Sequence, residues 1–328
     1  MICLGTWEFG QSEDWGQGNI SHYQRVINSA LDAGVNFIDT AELYGESEEI
    51  LGELLRGRRN EVVLATKIGG YEWDYSTMRS KLEQSLRRLK TDYVDLYQIH
   101  WPKIKGIDHG LCKSNMEDED YEKIAYSLTK LQDEGLIRAG GVSNFRLYHL
   151  QKFKDESFDV IAADQIPYSL LWRPYDDPQM VEFCKSRGVS YTTYSSLAVG
   201  MLSGKIDKHT TISPAQMGNI LFNEPVLDRA LKVVDVVREI ANESGASPSQ
   251  IALKWVIDQE LTASALVGTR NATNFKEDID AVNLQLTKDQ AGRLEGASKE
   301  FSSSIPSDLE MWTWDNTTEN LDRIRIRS

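Results

Sequence analysis

The chain has 328 residues, 41% hydrophobic and 26% charged, a balance that excludes collagen-like, coiled-coil and disordered readings. Against 36 Lys+Arg stand 50 Asp+Glu, a net charge of −14. Such an acidic surface repels phosphate backbones, so nucleic acid is not expected as a partner.

In chain order, Ile2–Gly5 reads as a first buried strand. Ser21-His22-Tyr23-Gln24 reads as a capping box ahead of an apolar stripe of Tyr23, Val26, Ile27, Ala30 and Leu31. Gly34 closes that helix where a left-handed residue is wanted. Val35–Asp39 and Val62–Lys67 are the next strands, and Met78, Leu82, Leu86 and Leu89 mark the helix that follows. Val94–His100, Ile137–Ser143, Val160–Gln165 and Val189–Tyr194 continue the series. Leu227, Ala230, Leu231, Val234 and Val237 form a further helical stripe. Ser247-Pro248-Ser249-Gln250 caps an extra helix, about 247–259, before an eighth strand at Ala265–Gly268.

Short apolar strands alternating with helices predict a parallel sheet covered by helices. Right-handed crossovers allow an open doubly wound sheet or a closed barrel. The count of eight favours a (β/α)8 TIM barrel, expected as one domain over 1–328. Two stretches break the rhythm: Pro102–Glu119, and the tail Phe301–Ser328 with Trp312 and Trp314. Each reads as a shaper of substrate access or as a mobile surface segment. Arg323-Ile324-Arg325-Ile326-Arg327 reads as a frayed end.

Cys3, Cys112 and Cys184 are too few and scattered for a disulfide framework. No apolar run nears the roughly 18 residues of a membrane span, and the N-terminus lacks a basic signal-peptide start. A cytoplasmic protein with no membrane partner is therefore expected. Oligomeric state is left open.

Catalytic groups of such barrels sit at the C-terminal strand ends. Those ends carry Asp39, with Tyr44 in the following loop, then Lys67, His100, Ser143-Asn144, Gln165 and Tyr194-Ser195. No carboxylate pair suits glycoside hydrolysis, and no set of oxygen ligands suits a divalent ion. His109 and Cys112 make a weak zinc pair, so no metal is expected. Gly16-Gln17-Gly18-Asn19-Ile20-Ser21 is not a dinucleotide fingerprint and Gly200-Met201-Leu202-Ser203-Gly204-Lys205 is one residue short of a P-loop. Gly141-Val142-Ser143-Asn144-Phe145 is not a nucleophile elbow.

What remains is a proton donor. A phenol with a pKa near 10 donates poorly at neutral pH, a neighbouring ammonium lowers that value, and a carboxylate keeps the ammonium charged. Asp39, Lys67 and Tyr44 make such a chain, with His100 as a hydrogen-bond donor to a carbonyl oxygen. The set suits protonation of an oxygen that becomes negative as hydride reaches its carbon. A Schiff-base aldolase on Lys67 is a rival reading, disfavoured by the Asp39 partner.

These residues lie in stretches that resemble the aldo-keto reductase family. They are Leu4-Gly5-Thr6-Trp7, Asn36 to Gly45, Leu64-Ala65-Thr66-Lys67, Leu86 to Pro102 and Gly141-Val142-Ser143-Asn144-Phe145. The likeness runs from residue 2 to about 283 and is closest to the bacterial branch with Gly-Thr-Arg at strand eight. It implies Asp39, Tyr44, Lys67 and His100 as a catalytic tetrad, with Tyr44 the general acid. It implies NADPH, or alternatively NADH, held by Thr6, Trp7, Asp39, Ser143, Asn144, Gln165 and Tyr194. The loop with Ser195, Leu197, Gly200, Leu202 and Lys205 would cover the pyrophosphate. Gly268, Thr269, Arg270, Asn274 and Glu277 would meet the adenosine end, and Trp7, Tyr44 and Trp101 would line the substrate pocket. Trp73, Trp312 and Trp314 hint at further aromatic walls. The implied activity is reversible reduction of an aldehyde or ketone to an alcohol. The alternative is a regulatory subunit that binds the cofactor with little turnover, resembling potassium channel β subunits.

The sequence departs from the family pattern in four ways. No β-hairpin precedes strand one, the loop after Trp101 is long, and Ser169 stands where Asn is common. Finally, Gly268-Thr269-Arg270 lacks a customary Lys and Asp278 replaces an Asn. Arg270 would serve a 2′-phosphate with its planar fork.

Overall fold

Eight parallel strands pair in chain order and the eighth returns to the first, closing a barrel. The computed structural model describes residues 1–10, 18–69, 73–102, 116–306 and 309–312. The strands are β1 (Ile2–Gly5), β2 (Phe37–Asp39), β3 (Val63–Ile68) and β4 (Val94–Ile99). They continue with β5 (Ile137–Ser143), β6 (Ile161–Pro167), β7 (Ser190–Tyr194) and β8 (Thr262–Gly268). Pairing of Gly5 with both Asp39 and Gly268, and of Ser143 with Gln165, levels the predicted site residues at one rim.

Around the barrel lie α1 (Ile20–Asp32), α2 (Ser47–Leu54), α3 (Tyr75–Leu89), α4 (Asp118–Asp133) and α5 (Pro178–Arg187). They are followed by α6 (Val226–Ser244), α7 (Pro248–Ile257), α8 (Ala272–Ile279) and α9 (Lys288–Ser303). The extra helix is α7, started as predicted by a Ser247–Gln250 capping box with proline in its first turn. The stripes on α1, α3 and α6 supply buried Val26, Ile27, Leu82, Leu86, Val234 and Val237 to the layer outside the strands. Among the described residues no helix is long and apolar enough to cross a membrane.

Several boundaries differ from the sequence reading. α1 is capped by Asn19, whose Oδ1 accepts from the Ser21 N–H at 2.8 Å, and not by a Ser21 box; Gln24 bonds forward to Asn28. β2 starts at Phe37 because the Val35 N–H is used by Ala30 O in the helix end. β8 begins three residues early, since Thr262 and Ser264 pair with β7 despite breaking the apolar run. The break after β4 ends sooner than Glu119, because α4 starts at Asp118 with its acidic run in the first turn, where it complements the helix dipole. His109 and Cys112 lie outside the described residues, as do Gly16 and Gln17.

Part of the predicted tail lies among the described residues. Its first residues, Phe301–Ser303, finish α9. Leu309–Trp312 then folds back over the rim: Ile220 N–H donates to Met311 O at 3.1 Å, and Arg146 Nη2 donates to Leu309 O at 3.3 Å and to Glu310 at 3.2 Å. Trp314 and Arg323–Arg327 lie outside the described residues.

One buried acid conflicts with folding. Asp164 on β6 is fully buried; its Oδ1 accepts a 3.4 Å bond from Phe145 N–H, and its Oδ2 has no partner among the described residues. Burial pushes its carboxyl well above the ordinary range, against the pull of that bond and of Arg146. A carboxyl raised on folding costs stability at every pH above its unfolded value, and the cost grows with pH until the folded value is passed. Asp164→Asn is therefore expected to match the parent in thermal melts near pH 4 and to melt higher at pH 8. A constant difference across that range would contradict this.

Candidate active site

Tyr44 is placed by backbone before any catalytic contact forms. Its loop is tied to the barrel by Thr40 N–H to Ala65 O at 2.9 Å and Glu42 N–H to Lys67 O at 3.3 Å. Gly10 and Gly45 meet there so closely that a Cβ on Gly10 would lie 1.8 Å from Tyr44 O. Gly45 also holds φ +55°, so neither position admits a larger side chain without moving the loop. Thr6, Thr40 and Ser47 hydroxyls knit β1 to the start of α2 beneath it, with oxygen separations of 2.8 and 2.9 Å.

Lys67 lies fully buried behind Tyr44. Its Nζ donates to Asp39 Oδ1 at 2.6 Å, to Thr40 O at 2.9 Å and to the Tyr44 hydroxyl at 3.3 Å. Burial pushes the Lys67 ammonium down, but Asp39 and Tyr44 together carry it above its usual value, so it stays charged. Tyr44 corrects the sequence expectation: burial outweighs Lys67, and the phenol lies above its ordinary value. Lys67 pulls it down only in part, which keeps the proton on Tyr44 across neutral pH. Access settles the Schiff-base rival too, because a fully enclosed Lys67 has no face toward a substrate.

His100 completes the group, its ring edge-on to Tyr44 with centroids 5.5 Å apart. On the other side, Gln165 Nε2 donates to Asp39 Oδ2 at 2.9 Å and Ser143 Oγ to Gln165 O at 2.8 Å. Asn144, at φ +64°, donates to His100 O at 3.0 Å and accepts from the Tyr194 hydroxyl at 2.8 Å. A single network therefore links six strand ends, those of β2 to β7.

These residues line one cavity of about 440 Å³. It brings together Thr6, Trp7, Asp39, Tyr44, His100, Trp101, Ser143, Asn144, Gln165, Tyr194, Ser195 and Gly268. Leu197, Gly200, Leu202, Lys205, Thr269, Arg270, Asn274 and Glu277 do not line it; the first four sit on the loop after β7, Thr269 and Arg270 on the loop after β8, and Asn274 and Glu277 on α8. The first of those loops is strained, with Ser195, Ala198 and Val199 at φ +51°, +50° and +54°. Arg238 pins its far end through Gly204 O at 2.7 Å. Backbone strain of this kind clusters at ligand clamps.

The sequence reading missed Glu8, Leu43 and Leu266 as lining residues. Trp312, which the sequence offers as an aromatic wall without placing its tail, stands edge-on to Trp7 at 5.5 Å and walls the cavity. Trp73 is no pocket wall; it is fully buried and its carbonyl accepts from Ser127. Among the described residues no cluster of three or more His, Cys, Asp or Glu is placed to hold a metal.

Comparison with known proteins agrees with this geometry. The family model for the aldo/keto reductase family matches residues 1–299. Aldo-keto reductase YhdN of Bacillus subtilis is 32% identical over 285 residues, covering 82% of this chain and 81% of its own length. The chloroplastic pyridoxal reductase of Arabidopsis thaliana is 28% identical, covering 92% and 84%. Among solved structures, a glycerol dehydrogenase from Gluconobacter oxydans superposes with a TM-score of 0.77 at 28% identity, covering 94% of each chain. An aldo-keto reductase from Klebsiella pneumoniae in complex with NADPH shares the fold, with a TM-score of 0.68, 24% identity and coverage of 90% and 89%. The chain belongs to the aldo/keto reductase family of oxidoreductases.

Proposed function

We propose that this chain, as one barrel domain over 1–328, is a cytoplasmic NADPH-dependent carbonyl reductase acting reversibly on aldehydes or ketones. NADH is the second cofactor to test. The carrying observation is the Tyr44 hydroxyl at the cavity wall, 3.3 Å from a buried ammonium that Asp39 holds at 2.6 Å.

The residues present fit the nicotinamide half of the cofactor. Ser143, Asn144 and Gln165 offer buried amide and hydroxyl groups for a carboxamide, the Tyr194 ring offers a face, and Gly5 and Gly268 leave the rim open. Bound there, the dinucleotide supplies the hydride that the carbonyl carbon receives. Tyr44 gives its proton to the carbonyl oxygen, and Lys67 stabilises the phenolate left behind. His100 orients that oxygen with a hydrogen bond. Trp7, Leu43, Trp101 and Trp312 give the substrate end apolar, largely aromatic walls, which suits flat apolar carbonyl compounds over charged sugars.

Assays of NADPH oxidation with aromatic and aliphatic aldehydes, repeated with NADH, test this reading. Turnover with matching alcohol formation supports it; none with any carbonyl overturns it. Trp312→Ala should raise KM for aromatic aldehydes by about tenfold, the worth of roughly 1.4 kcal/mol of lost contact, while cofactor affinity holds. An unchanged KM would remove Trp312 from the substrate wall.

A further inference from the structure

Glu8 is an acid in an unexpected place. It sits on the helical turn Trp7–Gly10 that follows β1 and lines the same cavity as Tyr194, Ser195 and Gly268. Its carboxyl packs over Gly268, where a Cβ would lie 3.1 Å from Glu8 Oε1. Its Oε2 stands 3.8 Å from Arg270 Nε, on the loop after β8. The pair thus crosses the seam between the first and last strands, at the edge of the cavity, which Glu8 lines and Arg270 does not. A dinucleotide with its nicotinamide against Tyr194 has to carry its phosphates out past this edge. An ionised carboxylate there repels them, and it also occupies the guanidinium best placed to receive them.

We infer that Glu8 is a positioning residue of the dinucleotide groove, holding Arg270 to the β1 side and releasing it, with uptake of one proton, when a phosphate-bearing cofactor enters. This rests on the cofactor reading above and adds a residue and a proton to it. Among the described residues, the charged and titratable groups facing Glu8 are Arg270 and, from α1, Tyr23, whose hydroxyl donates to Glu8 O at 3.4 Å. Burial pushes the Glu8 carboxyl up to about 7 against the opposing pull of Arg270, so the proton is available near neutral pH.

The test compares Glu8→Gln with the parent by NADPH binding, read from tryptophan quenching between pH 6 and pH 8.5. The cofactor's own phosphate titrates in both proteins and cancels in the ratio. Parent affinity should fall relative to the variant by about tenfold across that range, with the two nearly equal at pH 6. Calorimetry at pH 7.5 in two buffers of different ionisation heat should show net proton uptake in the parent that the variant lacks. Parallel pH profiles, or equal proton uptake, would overturn the role of Glu8 while leaving the cofactor reading intact. Absence of NADPH binding in both proteins would overturn the two together.

Discussion

Tyr44→Phe is expected to lower turnover by about 10²–10⁴-fold, the usual worth of a positioned general acid, with NADPH affinity nearly unchanged. The phenol, the proposed proton source, faces the cavity and touches the buried ammonium, and phenylalanine keeps its shape and ring contact with His100. The proposed cofactor contacts, Ser143, Asn144, Gln165 and Tyr194, hold one another without the Tyr44 hydroxyl. Steady-state rates and fluorescence titration of the same preparation give both numbers. A variant retaining a tenth or more of parental kcat would show that the proton comes from elsewhere.

Lys67→Met should be more damaging to the fold than to the cavity's shape. Lys67 and Asp39 have side chains only 0% and 1% exposed, so removing the cation leaves an acid buried without its ion-pair partner. Breaking such a pair typically costs about 3–5 kcal/mol, a large fraction of a domain's stability. Because folding raises the lysine's value, the contribution of its charge is fully present at neutral pH and fades as pH climbs from the ordinary lysine range through the folded value. Urea denaturation at pH 7 should therefore show the full loss. The double variant Asp39→Asn/Lys67→Met should recover most of the stability and none of the turnover, since no buried charge is then left alone. If the double variant were as unstable as the single one, the cost would lie in packing and not in charge.

Much of this site could be read from strand ends alone. Asp39, Lys67, His100, Ser143 and Gln165 close or follow apolar runs, and a barrel's topology brings such ends to one rim whatever lies between them. Three features were illegible for physical reasons. Glu8 sits one residue past a predicted pocket tryptophan on a four-residue turn, where an isolated acid resembles a solvated one. The placement of Trp312 depends on a chain reversal anchored by Arg146 and Ile220, contacts more than ninety residues away in sequence. The direction of the Tyr44 shift depended on how deeply the phenol is buried, which residue spacing does not encode.

The most direct measurement is stopped-flow absorbance of enzyme-bound NADPH mixed with a flat aromatic aldehyde in excess. The account predicts loss of the reduced-nicotinamide signal, with one alcohol formed per cofactor oxidised and no such phase in Tyr44→Phe. Tight retention of unoxidised NADPH by the parent protein, across aldehydes and ketones alike, would contradict it and assign the barrel a binding role.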